Sequence, residues 1–177
     1  MCSSRYETIL FQTAFNLAFA AFLRVSEFAI TTNVMQEHVL HRRDVYIDHV
    51  KNQLFVTIKF SKTDQKGRST TLVVEKNESN EICPLQSLKA FLQIRPGNDG
   101  PHFCHINGKS LTRFQFQTVL NKGLKFLSLN TSRFNTHSFR IGAATSAFMS
   151  GKTENQIKTM GRWMSSSFQR YIRIPNI

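Results

Sequence analysis

Asp44-Val45-Tyr46-Ile47 opens the stretch that decides the fold. From here the hydrophobic period changes: Val45-Tyr46-Ile47, Leu54-Phe55-Val56-Thr57-Ile58 and Thr70 to Val74 are β-branched and aromatic runs separated by polar turns. Such runs predict a three-stranded antiparallel meander. On its N-terminal side, Ser4 to about Phe22 is apolar nearly all round and reads as a buried helix. A short helical turn follows around Arg24 to Ala29. On the C-terminal side, Pro84 opens a helix through about Ile94, where proline's fixed φ suits the first helical position. Pro96-Gly97-Asn98-Asp99-Gly100 breaks it. Further helices are expected over about Thr112 to Leu127, His137 to Met149 and Thr153 to Thr159, and a last short one carries Tyr171. Helix, small sheet, then helices describes an α+β domain, mostly helical, with a small three-stranded antiparallel sheet. The length of 177 residues suits one domain spanning the whole chain.

Composition narrows the partners. Lys and Arg number 23 against 11 Asp and Glu, a formal charge of +12. That excess points to a polyanion, nucleic acid first and an anionic membrane surface second. With 41% hydrophobic residues and 16 Phe the chain is rich enough in apolar side chains to build a core. Cys2, Cys83 and Cys104 are few, odd in number and widely spaced, which fits a reducing compartment rather than a disulfide framework. Ile9 to Leu23 raises the question of a signal peptide. Glu7 in the leader position and the polar Gln12, Thr13 and Asn16 favour a core helix.

Chemistry concentrates in four places. In Thr136-His137-Ser138-Phe139-Arg140 the histidine and arginine share one face at a helix start, where backbone N–H groups favour an anion. A solvated pair is the bland alternative. Arg24 follows the most apolar helix directly, so it needs an aqueous cleft or a partner. Glu27 lies on its face and can orient it or simply pair with it. Ser61-Lys62-Thr63-Asp64-Gln65-Lys66-Gly67-Arg68 forms a turn between strands whose cations can reach a phosphate, or can remain a solvated turn. Gly161-Arg162-Trp163 precedes Phe168-Gln169-Arg170-Tyr171-Ile172-Arg173, in which arginines flank a tyrosine.

Taken in order, these residues resemble the catalytic domain of the tyrosine recombinases, or phage-type integrases. Leu23-Arg24-Val25-Ser26-Glu27 looks like the first arginine motif and Ser61-Lys62-Thr63 like the hairpin lysine. His137 to Arg140 looks like the His-x-x-Arg box. Gly161-Arg162-Trp163 looks like the Leu-Gly-His box with tryptophan replacing histidine. Tyr171 falls at the nucleophile position. The wording is closest to integrases of eukaryotic Crypton and DIRS mobile elements.

The resemblance implies cleavage and rejoining of duplex DNA through a covalent 3′-phosphotyrosyl intermediate, with neither metal nor nucleotide cofactor. It implies that Arg24 and Arg140 grip the phosphate, Lys62 protonates the leaving 5′-oxygen, His137 assists proton transfer and Trp163 packs against the phosphate. Lys66, Arg68, Arg162, Arg170 and Arg173 are the implied DNA contacts. A homo-oligomeric, tetrameric synapse and a nuclear location in a eukaryote, or a cytoplasmic one otherwise, are also implied. Relatives carry an N-terminal helical core-binding domain, which is expected to be absent here.

The rival readings are a DNA-binding domain that has lost catalysis and a type IB topoisomerase. Ser150-Gly151-Lys152-Thr153 imitates a P-loop but has Ser146 where the first glycine belongs. His102, Cys104 and His105 lack a second ligand pair at zinc spacing.

Overall fold

Alternation from Val45 onward does become a sheet. In a computed structural model, which describes residues 4–31, 36–60, 69–76, 82–97 and 99–173, β1 (Val45–Asp48), β2 (Gln53–Ile58) and β3 (Thr70–Glu75) pair antiparallel in the order β1-β2-β3. Val45 faces Val56, and Leu54 faces Val74, so one face of the sheet carries the buried set. The opposite face carries Tyr46, stacked on Phe55 at 4.9 Å between ring centroids. The β1–β2 turn is chemically specified. The Asp48 carboxylate accepts from the N–H groups of Val50 and Lys51, both at 2.9 Å, and Asn52 takes the left-handed conformation with φ +52°. The turn holding Lys62, Lys66 and Arg68 lies outside the described residues.

The helices are α1 (Arg5–Ala20), α2 (Pro84–Ile94), α3 (Arg113–Phe126), α4 (Ser138–Met149) and α5 (Glu154–Gly161). Ser4, Thr112 and Thr153 cap three of them with side-chain oxygens, and Pro84 opens α2. The short turn expected around Arg24 to Ala29 is the 3₁₀ turn Val25–Glu27, and the last short helix is a second 3₁₀ turn, Ser166–Tyr171, rather than an α-helix. Each is too short to close a useful run of i→i+4 bonds. Among the described residues no helix is long and apolar enough to cross a membrane. Two of the polar interruptions of α1 are accommodated individually. Gln12 is exposed, and the Thr13 hydroxyl donates to the Ser87 carbonyl of α2 at 2.9 Å.

Phenylalanines bind these elements into the main core. Phe116 of α3 meets Phe15 of α1 at 4.8 Å, Phe28 at 5.0 Å and Phe139 of α4 at 5.3 Å. Phe116→Ala should therefore cost about 3–5 kcal/mol, read as a lower urea midpoint at unchanged slope, because one ring joins α1, α3, α4 and Phe28. A second, smaller core gathers Phe22, Ala143, Ala144, Ala147, Ile157, Trp163 and Phe168. Small residues on α4 permit that close approach. At Gly142 an added Cβ would stand 3.1 Å from the Phe19 ring of α1.

His102, Cys104 and His105 separate on folding. The His102 ring is enclosed by Phe91 and Phe103, whereas His105 bonds Glu7 at 2.7 Å and Gln115 at 3.1 Å. Among the described residues no group of three His, Cys, Asp or Glu side chains is placed to hold a metal. Burial pushes the His102 imidazole down to about 3, so it is neutral at ordinary pH.

Candidate active site

The second core is also where Arg24, His137, Arg140, Trp163 and Tyr171 come together. Its frame is the C-terminal end of α1, which turns back through Phe22 at φ +50°, with Leu23 N–H returning to the Ala18 carbonyl at 2.9 Å. Glycine ordinarily takes this left-handed position at a helix end. The turn leaves the Ala21 and Phe22 carbonyls at the negative end of the helix dipole, and cations gather there.

Arg140, on the first turn of α4, is fully buried. Its guanidinium donates from Nη1 to the Phe22 carbonyl and from Nη2 to the Gly161 carbonyl, the latter at 2.9 Å. It also lies 4.6 Å from the Trp163 ring centroid and 5.7 Å from that of Tyr171. Nε has no hydrogen-bond partner among the described residues. Burial, reinforced by Arg24 and Arg162, pushes the group down to about 10, and it stays charged at neutral pH.

Arg24 begins the first 3₁₀ turn and is only partly exposed. The Glu27 carboxylate accepts from the Arg24 backbone N–H at 2.8 Å and from its Nη1 at 3.1 Å. Orientation and pairing, alternatives in the sequence, coincide in one carboxylate. Arg162, an expected DNA contact, is instead turned inward. Its Nη2 meets Glu27 at 2.7 Å and its side chain is 7% exposed. It too occupies a left-handed helix end, at φ 56°. Arg170 and Arg173 are exposed beside Tyr171.

Tyr171 ends the second 3₁₀ turn, half-buried. Its ring lies 4.9 Å from His137 and 4.8 Å from Trp163. Ring desolvation, then the charges of Arg140 and Arg24, push the His137 imidazole below its usual range. A neutral imidazole has a ring nitrogen free to accept a proton. The tryptophan is packed among Phe22, Phe168, Tyr171 and the Arg140 guanidinium.

One contributor escaped the sequence reading. Thr145 accepts from Arg173 N–H at 3.0 Å and donates to the Tyr171 carbonyl at 3.2 Å, tying the tyrosine segment to α4. Its signal was the eight-residue spacing from His137 along one helix face. Gly161, read from the sequence only as part of the Gly161-Arg162-Trp163 motif, contributes by close packing. A Cβ there would fall 1.7 Å from the Trp163 ring. Gly161→Ala should displace the indole and cost about 1–3 kcal/mol by overpacking. As Trp163 is the only tryptophan, its fluorescence reports this directly, and an unchanged emission and quenching profile would refute the packing role.

No family model matches the chain, and no curated protein matches its sequence. Solved structures do match. The XerH site-specific recombinase, bound to its difH substrate before cleavage, aligns with TM-score 0.68 at 14% identity, over 98% of this chain and 46% of that one. The Tn1549 transposon integrase, residues 82–397 with circular-intermediate DNA, aligns at 0.62 and 13%, over 98% and 56%. The XerA recombinase aligns at 0.58 and 16%, over 99% and 59%. The chain thus spans about half the length of these proteins. Across nearly its whole length, a helical domain with a three-stranded sheet beside the converged Arg24, His137, Arg140 and Tyr171, it has the fold of the tyrosine-recombinase catalytic domain.

Proposed function

We propose that the chain cuts and rejoins duplex DNA by transesterification, with Tyr171 as the nucleophile. The observation that carries this reading is the packing of the Tyr171 ring against His137, Trp163 and the Arg140 guanidinium. A phosphodiester repels nucleophiles, so its non-bridging oxygens need cations. Arg24 and Arg140 supply them. His137 takes the phenolic proton, the phenolate attacks phosphorus, and the 5′-oxygen leaves as Lys62 protonates it. The 3′-phosphotyrosine then preserves the bond energy for rejoining. The DNA-bound state of the XerH and Tn1549 proteins supports duplex DNA as the partner, and the charge of +12 fits it. Within that reading, protomers meet in a tetrameric synapse. The wording around His137 and Tyr171 favours mobile elements of the Crypton and DIRS type.

A suicide DNA substrate tests the proposal. On a denaturing protein gel an enzyme leaves a band shifted by the attached strand, whereas a domain that only binds leaves none. The role of Lys62 is separable. A 5′-phosphorothiolate leaving group needs no proton, so it should rescue Lys62→Ala and do nothing for Arg140→Ala. Rescue of Lys66→Ala instead would move the general acid to Lys66.

A further inference from the structure

Glu27 is only 2% exposed, and its carboxylate serves two arginines from opposite ends of the chain. Oε1 accepts from Arg24 Nη1 at 3.1 Å, and Oε2 accepts from Arg162 Nη2 at 2.7 Å. Arg162 is anchored on its other side, donating to the Ala21 and Phe22 carbonyls at 3.3 and 3.4 Å. It reaches them from a left-handed backbone, φ 56° and ψ 44°, that a side chain adopts at some cost. We propose that Arg162 is a positioning residue: by holding Glu27, it leaves the Arg24 guanidinium available to a DNA phosphate.

The inference rests on the functional reading above and deepens it. A buried carboxylate does not release its last cation, because an uncompensated buried charge is costly. Without Arg162, Arg24 is the one cation in hydrogen-bonding contact with Glu27 among the described residues, and it is retained there. With Arg162 in place, Glu27 stays neutralised while Arg24 turns to the phosphate. The charge count agrees. Arg24, Arg140 and Arg162 against Glu27 leave two positive charges, and a phosphodiester attacked by a phenolate passes through a dianion.

The test compares wild type, Arg162→Met, Arg162→Lys and the double variant Arg162→Met with Glu27→Gln. Single-turnover adduct formation on the suicide substrate should slow about 10²-fold in Arg162→Met, with duplex affinity changed less than about threefold. Arg162→Lys, which keeps a charge near Glu27, should fall between. The double variant should recover about tenfold over Arg162→Met, because removing the carboxylate's charge releases Arg24. A residue that merely filled space would show no recovery, and a double variant no faster than Arg162→Met overturns the inference.

Side-chain nitrogen NMR of Arg24, assigned by Arg24→Lys, reads the same pairing without catalysis. Rotation about its Nε–Cζ bond should slow in Arg162→Met and quicken again in the double variant. Absence of that slowing overturns the positioning role even where adduct forms. If wild type forms no adduct while the NMR pattern holds, the functional reading fails and the positioning of Arg24 stands.

Discussion

Tyr171→Phe is expected to abolish the covalent DNA adduct while changing duplex affinity less than about twofold, since only the proposed nucleophilic oxygen is lost. The ring packing against His137 and Trp163 survives the change, and the Thr145 hydroxyl still holds the backbone carbonyl at position 171. The variant therefore keeps the site's shape. The other tyrosines are poorly suited to replace it. The Tyr6 hydroxyl donates to the Cys104 carbonyl at 2.6 Å, and burial raises its pKa above the ordinary range. Tyr46 lies on the outer face of the sheet against Phe55. Adduct formation by the Phe variant would remove Tyr171 from the mechanism. Measuring adduct yield and fluorescence anisotropy on one protein preparation distinguishes lost chemistry from lost folding.

Arg140→Lys is expected to lower single-turnover cleavage by about 10²–10³ although the charge is kept. A second loss should accompany it. The guanidinium fork satisfies the Phe22 and Gly161 carbonyls together, and an ammonium on a flexible stem cannot reproduce that geometry. The cost should be about 1–3 kcal/mol, visible as a lower denaturant midpoint. Arg24→Lys provides the contrast. Arg24 is partly exposed, and its backbone bond to Glu27 does not depend on the side chain. Cleavage should fall similarly while stability falls by less than about 1 kcal/mol. Cleavage by Arg140→Lys within tenfold of wild type would refute the assignment.

Local pattern made most of the architecture legible. The three strands appear within one or two residues of their expected places because the alternation in Leu54-Phe55-Val56-Thr57-Ile58 suits a half-buried strand. Pro84 and the Thr112 and Thr153 caps mark helix starts for equally local reasons. The end of α1 was less legible. The apolar pattern runs on to Phe22, but the helix stops at Ala20 because the chain turns at a phenylalanine in glycine's usual conformation. That choice is stabilised by Arg140 and Arg162, more than 100 residues away, which bind the exposed carbonyls.

By itself, then, the sequence determined the element order, the α+β class and the basic charge, and it singled out Arg24, His137, Arg140 and Tyr171, which the fold brings together. Each follows from periodicity, from the turn chemistry of neighbouring residues, or from motifs read in order. Tertiary structure alone decided what those side chains do to one another. It buried Arg140 beneath Tyr171 and Trp163, turned Arg162 inward onto Glu27, and recruited Thr145 and Gly161. The physical reason is that burial, pairing and close approach depend on distances between segments far apart in the chain, and residue spacing carries no such distance. Arg162 makes the point most plainly. Next to Trp163 in sequence it is one more cation for DNA, whereas in the fold it is the partner of a carboxylate 135 residues earlier.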